Sequence, residues 1–142
     1  MELVLMLAIA LSAAPPLPDH LIVEGRSEAL VASPLQAALD ADAQLHGRLK
    51  RYFSQKPCPE LERGYRATWE LREGALLLVK LDVDPCGGGK TVPLSLVFPN
   101  ATGPVKATWF SGELKTDPGR VRYVKSGTVT GEAKVERPRR QY

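Results

Sequence analysis

The sequence predicts one β-rich α+β domain, with an N-terminal hairpin and one or two helices packed on an antiparallel β-meander. Three observations carry this. Residues 64–136 alternate apolar and polar side chains at period two between short Gly- and Asp-containing turns, the signature of half-buried strands. Residues 33–53 instead place apolar side chains at helical spacing. The chain has 142 residues, 44% hydrophobic and 25% charged, which is the balance of a single core and excludes a disordered tail or a two-domain protein.

In chain order, Leu21 to Val23 and Ala29 to Val31 flank Glu24-Gly25-Arg26-Ser27 and read as the hairpin. Ser33-Pro34-Leu35-Gln36 has a capping hydroxyl, Pro at the first helical position and Gln three residues after the cap, so a capping box should start a helix there. Leu35, Leu39, Leu49 and Phe53 form its buried stripe, and Asp42 is placed to cap a second helix after a break near Asp40. After a Pro-bearing loop at 56–63, strands are expected at 64–71 and 75–83. The run Leu76-Leu77-Leu78-Val79 marks the second as central. Residues 91–98 should return as a strand, although Pro93 points to an edge position or a short helical turn. Residues 105–114, 120–125 and 128–136 complete the meander. Trp69, Leu77, Val79, Leu81, Leu35, Leu49 and Phe53 are the expected core. The pattern basic-Ala-Thr-Trp occurs twice, at 66–69 and 106–109, which would suit two tryptophans meeting in one core.

The address is legible too. Residues 3–14 are an uncharged apolar run, too short to span a bilayer and ending in small residues before Pro15-Pro16, so residues 1–14 are expected to be an export signal. The domain then occupies 15–136, with 137–142 a basic tail, and the mature protein should be periplasmic or secreted, without a transmembrane span. Cys58 and Cys86 fit an oxidising compartment and are expected to form a structural disulfide. On the chain-entropy picture that bridge would contribute about 3.6 kcal/mol.

Catalytic motifs are absent from the sequence. Gly87-Gly88-Gly89-Lys90-Thr91 resembles a phosphate loop, but the pattern needs Gly where the chain has Asp84, and a helix where it reads as extended; no nucleotide partner is expected. Two pairs could still do acid-base work in an atypical enzyme, namely Asp42 with His46, and Asp82 with Asp84. With two His and two Cys, neither a metal nor a cofactor is expected. Charge is uneven: residues 1–99 carry 10 basic and 12 acidic side chains, whereas 100–142 carry 9 and 4. A net charge of +3 makes nucleic acid a poor expectation, but the basic C-terminal third could meet a partner protein or an anionic surface. The expected function is therefore that of an exported, non-enzymatic binding or inhibitor-like module. Its binding residues should be Trp109, Phe110, Arg120, Arg122 and Arg137. Asn100-Ala101-Thr102 is a glycosylation sequon, meaningful in a eukaryotic secretory host.

The strands Arg63-Gly64-Tyr65-Arg66-Ala67-Thr68-Trp69 and Ala107-Thr108-Trp109-Phe110-Ser111-Gly112-Glu113-Leu114 resemble those of a set of uncharacterised small bacterial proteins. These share R-G-Y-x-A-x-W and A-x-W-F-S-G-x-L patterns. The resemblance covers most of residues 20–136 and implies a shared fold without implying an activity. Those proteins carry a His after the second Trp strand, where this chain has Tyr123-Val124-Lys125-Ser126-Gly127.

Overall fold

A computed structural model describes residues 18–53, 63–83, 90–117 and 119–134. The protein is β-rich with a few short helices. Two strands, β1 (Asp19–Val23) and β2 (Arg26–Leu30), are followed by helices α1 (Pro34–Ala41) and α2 (Ala43–Lys50). Then come β3 (Tyr65–Arg72), β4 (Ala75–Val83), β5 (Lys90–Thr91), the single-turn helix α3 (Leu94–Val97) and β6 (Val105–Lys106). The chain continues with β7 (Gly112–Asp117), β8 (Arg120–Lys125) and β9 (Thr128–Lys134). No helix among the described residues is long and apolar enough to cross a membrane.

The strands close on themselves. Around the sheet the order is β3-β1-β2-β7-β8-β9-β4, and β4 pairs back onto β3, giving a 7-strand barrel. Closure was not foreseen, because one seam is non-local: β1 lies parallel to β3, His20 beside Thr68 and Val23 beside Leu71. Local patterning shows hairpins but is blind to such a pairing. Three hairpins, β1–β2, β3–β4 and β8–β9, turn on two residues with positive φ at both, at Glu24-Gly25, Glu73-Gly74 and Ser126-Gly127. This is the turn whose twist matches that of paired strands. It is tighter than the four-residue turn expected between β1 and β2, so Arg26 and Ser27 belong to β2.

The interior is packed with Leu21, Leu30, Tyr65, Ala67, Trp69, Leu76, Leu78, Leu81 and Val83, and Leu35 and Leu49 bring α1 and α2 onto it. Phe53 is half-buried against this core, its ring 3.0 Å from where a side chain on Gly64 would begin. Two expected core residues, Leu77 and Val79, are instead only half-buried. The cause is a bulge: Trp69 pairs with Leu78 and Thr68 with Lys80, leaving Val79 without a partner. One extra residue flips the alternation, so Leu76 and Leu78 point inward before it, and Leu81 and Val83 after it. Truncation should show the same asymmetry, Leu78→Ala costing about 2–5 kcal/mol by urea unfolding and Leu77→Ala about 1 kcal/mol or less.

Three further expectations are corrected. The capping box does not form: Ser33 makes no cap hydrogen bond, its hydroxyl being engaged by Tyr65 and Arg63. Residues 91–98 are not a strand beyond Thr91; the short helical turn α3 takes the place that Pro93 had raised. Residues 105–114 are not one strand either. After β6 the chain is stitched to β4 by Ala107 N–H donating to the Leu76 carbonyl at 2.9 Å, and it turns before β7 begins at Gly112. That turn swings Trp109 under the barrel wall, where its ring meets Trp69 edge-on at 6.4 Å. The two echoed Ala-Thr-Trp segments thus do share a core, although only the first is a full strand.

Candidate functional site

Aromatic and polar side chains pack the barrel interior along the wall formed by β1 and β3. At the start of β1, Asp19 is 1% exposed and turns its carboxylate inward. It accepts from Ala67 N–H at 3.0 Å, from Trp69 Nε1 at 3.2 Å and from the Arg63 guanidinium at 2.5 Å. Arg63 also donates to Ser33 Oγ at 2.5 Å and stacks over the Tyr65 ring at 4.6 Å, while the Tyr65 hydroxyl donates to Gln36 Oε1 at 3.1 Å. Burial pushes the Asp19 carboxyl above the ordinary carboxylate range, against the pull of the Arg63 charge and the two N–H groups. Burial likewise raises Tyr65. This cluster ties β1, the start of α1 and β3 together, and every polar atom in it that the geometry uses faces another protein group.

On the outer face, His20 Nε2 accepts a hydrogen bond from Arg66, whose Nε donates to the Pro18 carbonyl at 3.0 Å. Desolvation and the Arg66 charge lower the His20 pKa below 6.5, as a ring nitrogen that must stay unprotonated to accept requires. The unfolded chain therefore takes up the proton first. His20 contributes stability above pH 6.5 that is lost as pH falls through the folded value. Urea unfolding between pH 7.5 and 5.5 should show this loss in the native protein and a flatter profile in His20→Gln. Asp19 acts in the opposite sense at lower pH, because a raised carboxyl pKa means the fold gains stability as pH drops toward 3.8.

Asp42 and His46 do not pair through their side chains. Asp42 caps α2, accepting from Gln44 N–H at 3.0 Å and Leu45 N–H at 3.2 Å, so its carboxylate is committed to the helix start rather than to His46. Asp82 accepts from the Thr91 hydroxyl at 2.7 Å and stands 3.8 Å from Lys80 on the outer face. Asp84 lies outside the described residues, as do Cys58, Cys86, the Gly87–Gly89 run, Arg137 and the expected signal segment. Among the described residues no group of three or more His, Cys, Asp or Glu could hold a metal ion.

Of the expected binding residues, Arg122 is turned into the barrel, opposite Leu114 and 1% exposed. It donates to Glu132 at 3.1 Å and Glu28 at 3.4 Å, and Glu28 also accepts from Thr116 at 2.8 Å. Arg122 is thus an internal tie among β2, β8 and β9, and cannot meet an external surface. Arg120 is exposed at the start of β8. Trp109 is half-buried: its Nε1 donates to the Pro34 carbonyl at 2.8 Å, and its ring stacks on Phe98 at 5.7 Å. Phe110 packs on the core, its carbonyl accepting from Gly127 N–H at 2.9 Å.

Beyond that stack the chain forms a concave loop. Residues 98–105 enclose an open concavity of ≈ 400 Å³ lined by Phe98, Asn100, Thr102, Pro104 and their neighbours. A second, of ≈ 350 Å³, lies between the other side of the loop and the outward-facing Val79 and Leu94. The loop is anchored at both ends. Arg48 of α2 donates to the Val97 carbonyl at 2.9 Å, and β6 pairs with β4. Among the described residues, none that lines either concavity is charged. The sequence carried a signal for this that motif reading passes over: residues 91–105 are the longest run without charge after residue 18. Compared with protein-family models, with curated proteins and with solved structures, the chain matches none.

Proposed function

We propose that the protein is an exported, non-enzymatic binding module whose recognition surface is the concave loop at residues 98–105. The observation that carries this reading is a division of labour. Of the described catalytic candidates, Asp42 caps α2, His46 lies half-buried within that helix, and Asp82 is bonded to Thr91. The loop, by contrast, is concave, anchored and carries exposed polar groups. Pockets of this size with a few polar groups on apolar walls are the common form of ligand sites. Export rests on the apolar run at residues 3–14 and on the expected disulfide between the two cysteines.

The test is photo-capture in the native host with a benzophenone side chain placed at Asn100 and, as a control, at Lys125 on the β8–β9 hairpin, which lines neither concavity. Benzophenone inserts into C–H bonds and so captures polypeptides and glycans alike. An adduct at Asn100 and none at Lys125 is the expected result. No adduct at either position, or equal adducts at both, would overturn the reading.

A further inference from the structure

We infer that the concave loop takes a neutral saccharide; the inference rests on the binding reading above and names its ligand class. The described residues that wall both concavities are uncharged, so a charged ligand would sit beside Phe98, Val105 and the prolines without a counter-charge from them, which is unfavourable. The polar groups present are one amide, Asn100, and two hydroxyls, Ser95 and Thr102, all exposed and without a hydrogen-bond partner among the described residues. Each both donates and accepts, which suits ligand hydroxyls that do the same. Phe98 offers an apolar wall for the C–H face of a sugar ring. Its own ring is held by the stack on Trp109, which is fixed in turn by the Pro34 carbonyl. Pro99 and Pro104 fix backbone angles within the loop, so little ordering remains to be done on binding.

An extended peptide fits less well. Peptides commonly bind by adding a strand to an open sheet edge. Beside this loop, however, the edge of β4 is already met by β9, β6 and β5 in turn.

The experiment is a titration of the isotope-labelled full chain, followed by amide NMR, with millimolar maltotriose, triacetylchitotriose and an Ala-Pro-Ala peptide blocked at both termini. Either saccharide should move the resonances of residues 94–105 and the Trp109 indole, with the rest of the barrel unmoved. Asn100→Ala and Thr102→Val, both exposed loop substitutions, should each weaken the effect about tenfold, the worth of one or two hydrogen bonds. No movement with either saccharide, or movement that both variants leave intact, overturns the inference. If the peptide alone moves these resonances, the saccharide falls while the loop stands as a binding site. If photo-capture at Asn100 also fails, the binding reading falls with it.

Discussion

Asp19→Ala should lower the unfolding free energy by about 3–5 kcal/mol, a large share of the 5–15 kcal/mol typical of such domains. The substitution removes the acceptor for two buried donors, Ala67 N–H and Trp69 Nε1, neither of which can reach water. An orphaned buried donor costs about 1–3 kcal/mol, and the Arg63 guanidinium loses its ion pair with this carboxylate besides. Asp19→Asn should cost less, about 1–2 kcal/mol, because an amide oxygen still accepts and burial already favours a neutral group there. Urea unfolding of the two variants at pH 7 checks the order. Equal losses would mean that the charge, rather than the acceptor, holds the seam between β1 and β3.

Gly127→Ala should cost about 2–4 kcal/mol, far more than the same change at the equivalent position of the other two-residue turns. All three glycines have φ near +80°, so each substitution carries the left-handed penalty of about 1–2 kcal/mol. Only at Gly127 would the new methyl meet backbone, 2.7 Å from the Ala107 carbonyl oxygen and 3.2 Å from Thr108 N; at Gly25 and Gly74 it meets nothing within 4 Å. The β8–β9 hairpin tip is wedged against the turn that follows β6, so relief would require moving the segment that carries Trp109. Thermal unfolding of the three variants measures this directly: a lower Tm for Gly127→Ala than for the other two is expected.

Much of this architecture is visible in local patterning, and what escapes it has a physical reason. The hairpins, the helix start at Pro34, the Asp42 cap and the meeting of the two tryptophans follow from turn chemistry and spacing. The facing of Leu77 and Val79 does not, because a bulge shifts alternation without a marker in sequence. Closure of the barrel depends on a parallel pairing between strands some forty residues apart, which no local rule encodes. Ser33 reads as a cap until Arg63 and Tyr65 arrive from thirty residues away and engage its hydroxyl. Arg122 reads as surface charge because it sits among basic residues; two glutamates, one on β2 and one on β9, let it turn inward. The loop at 98–105 carries the Asn100-Ala101-Thr102 sequon but no ligand-binding motif, and only its lack of charge and its prolines set it apart.

The central claim is that holding the fold and recognising a ligand fall to different residues: Asp19, Arg63 and Arg122 inside, the concave loop outside. The most direct measurement pairs the melting temperature with photo-capture for one double variant, Thr102→Val with Ser95→Ala, in the chain carrying the benzophenone at Asn100. The account expects a Tm within about 2 °C of the parent, as exposed substitutions give, together with loss of the adduct. An adduct formed undiminished, or one lost only alongside a collapse of the melting temperature, would contradict it.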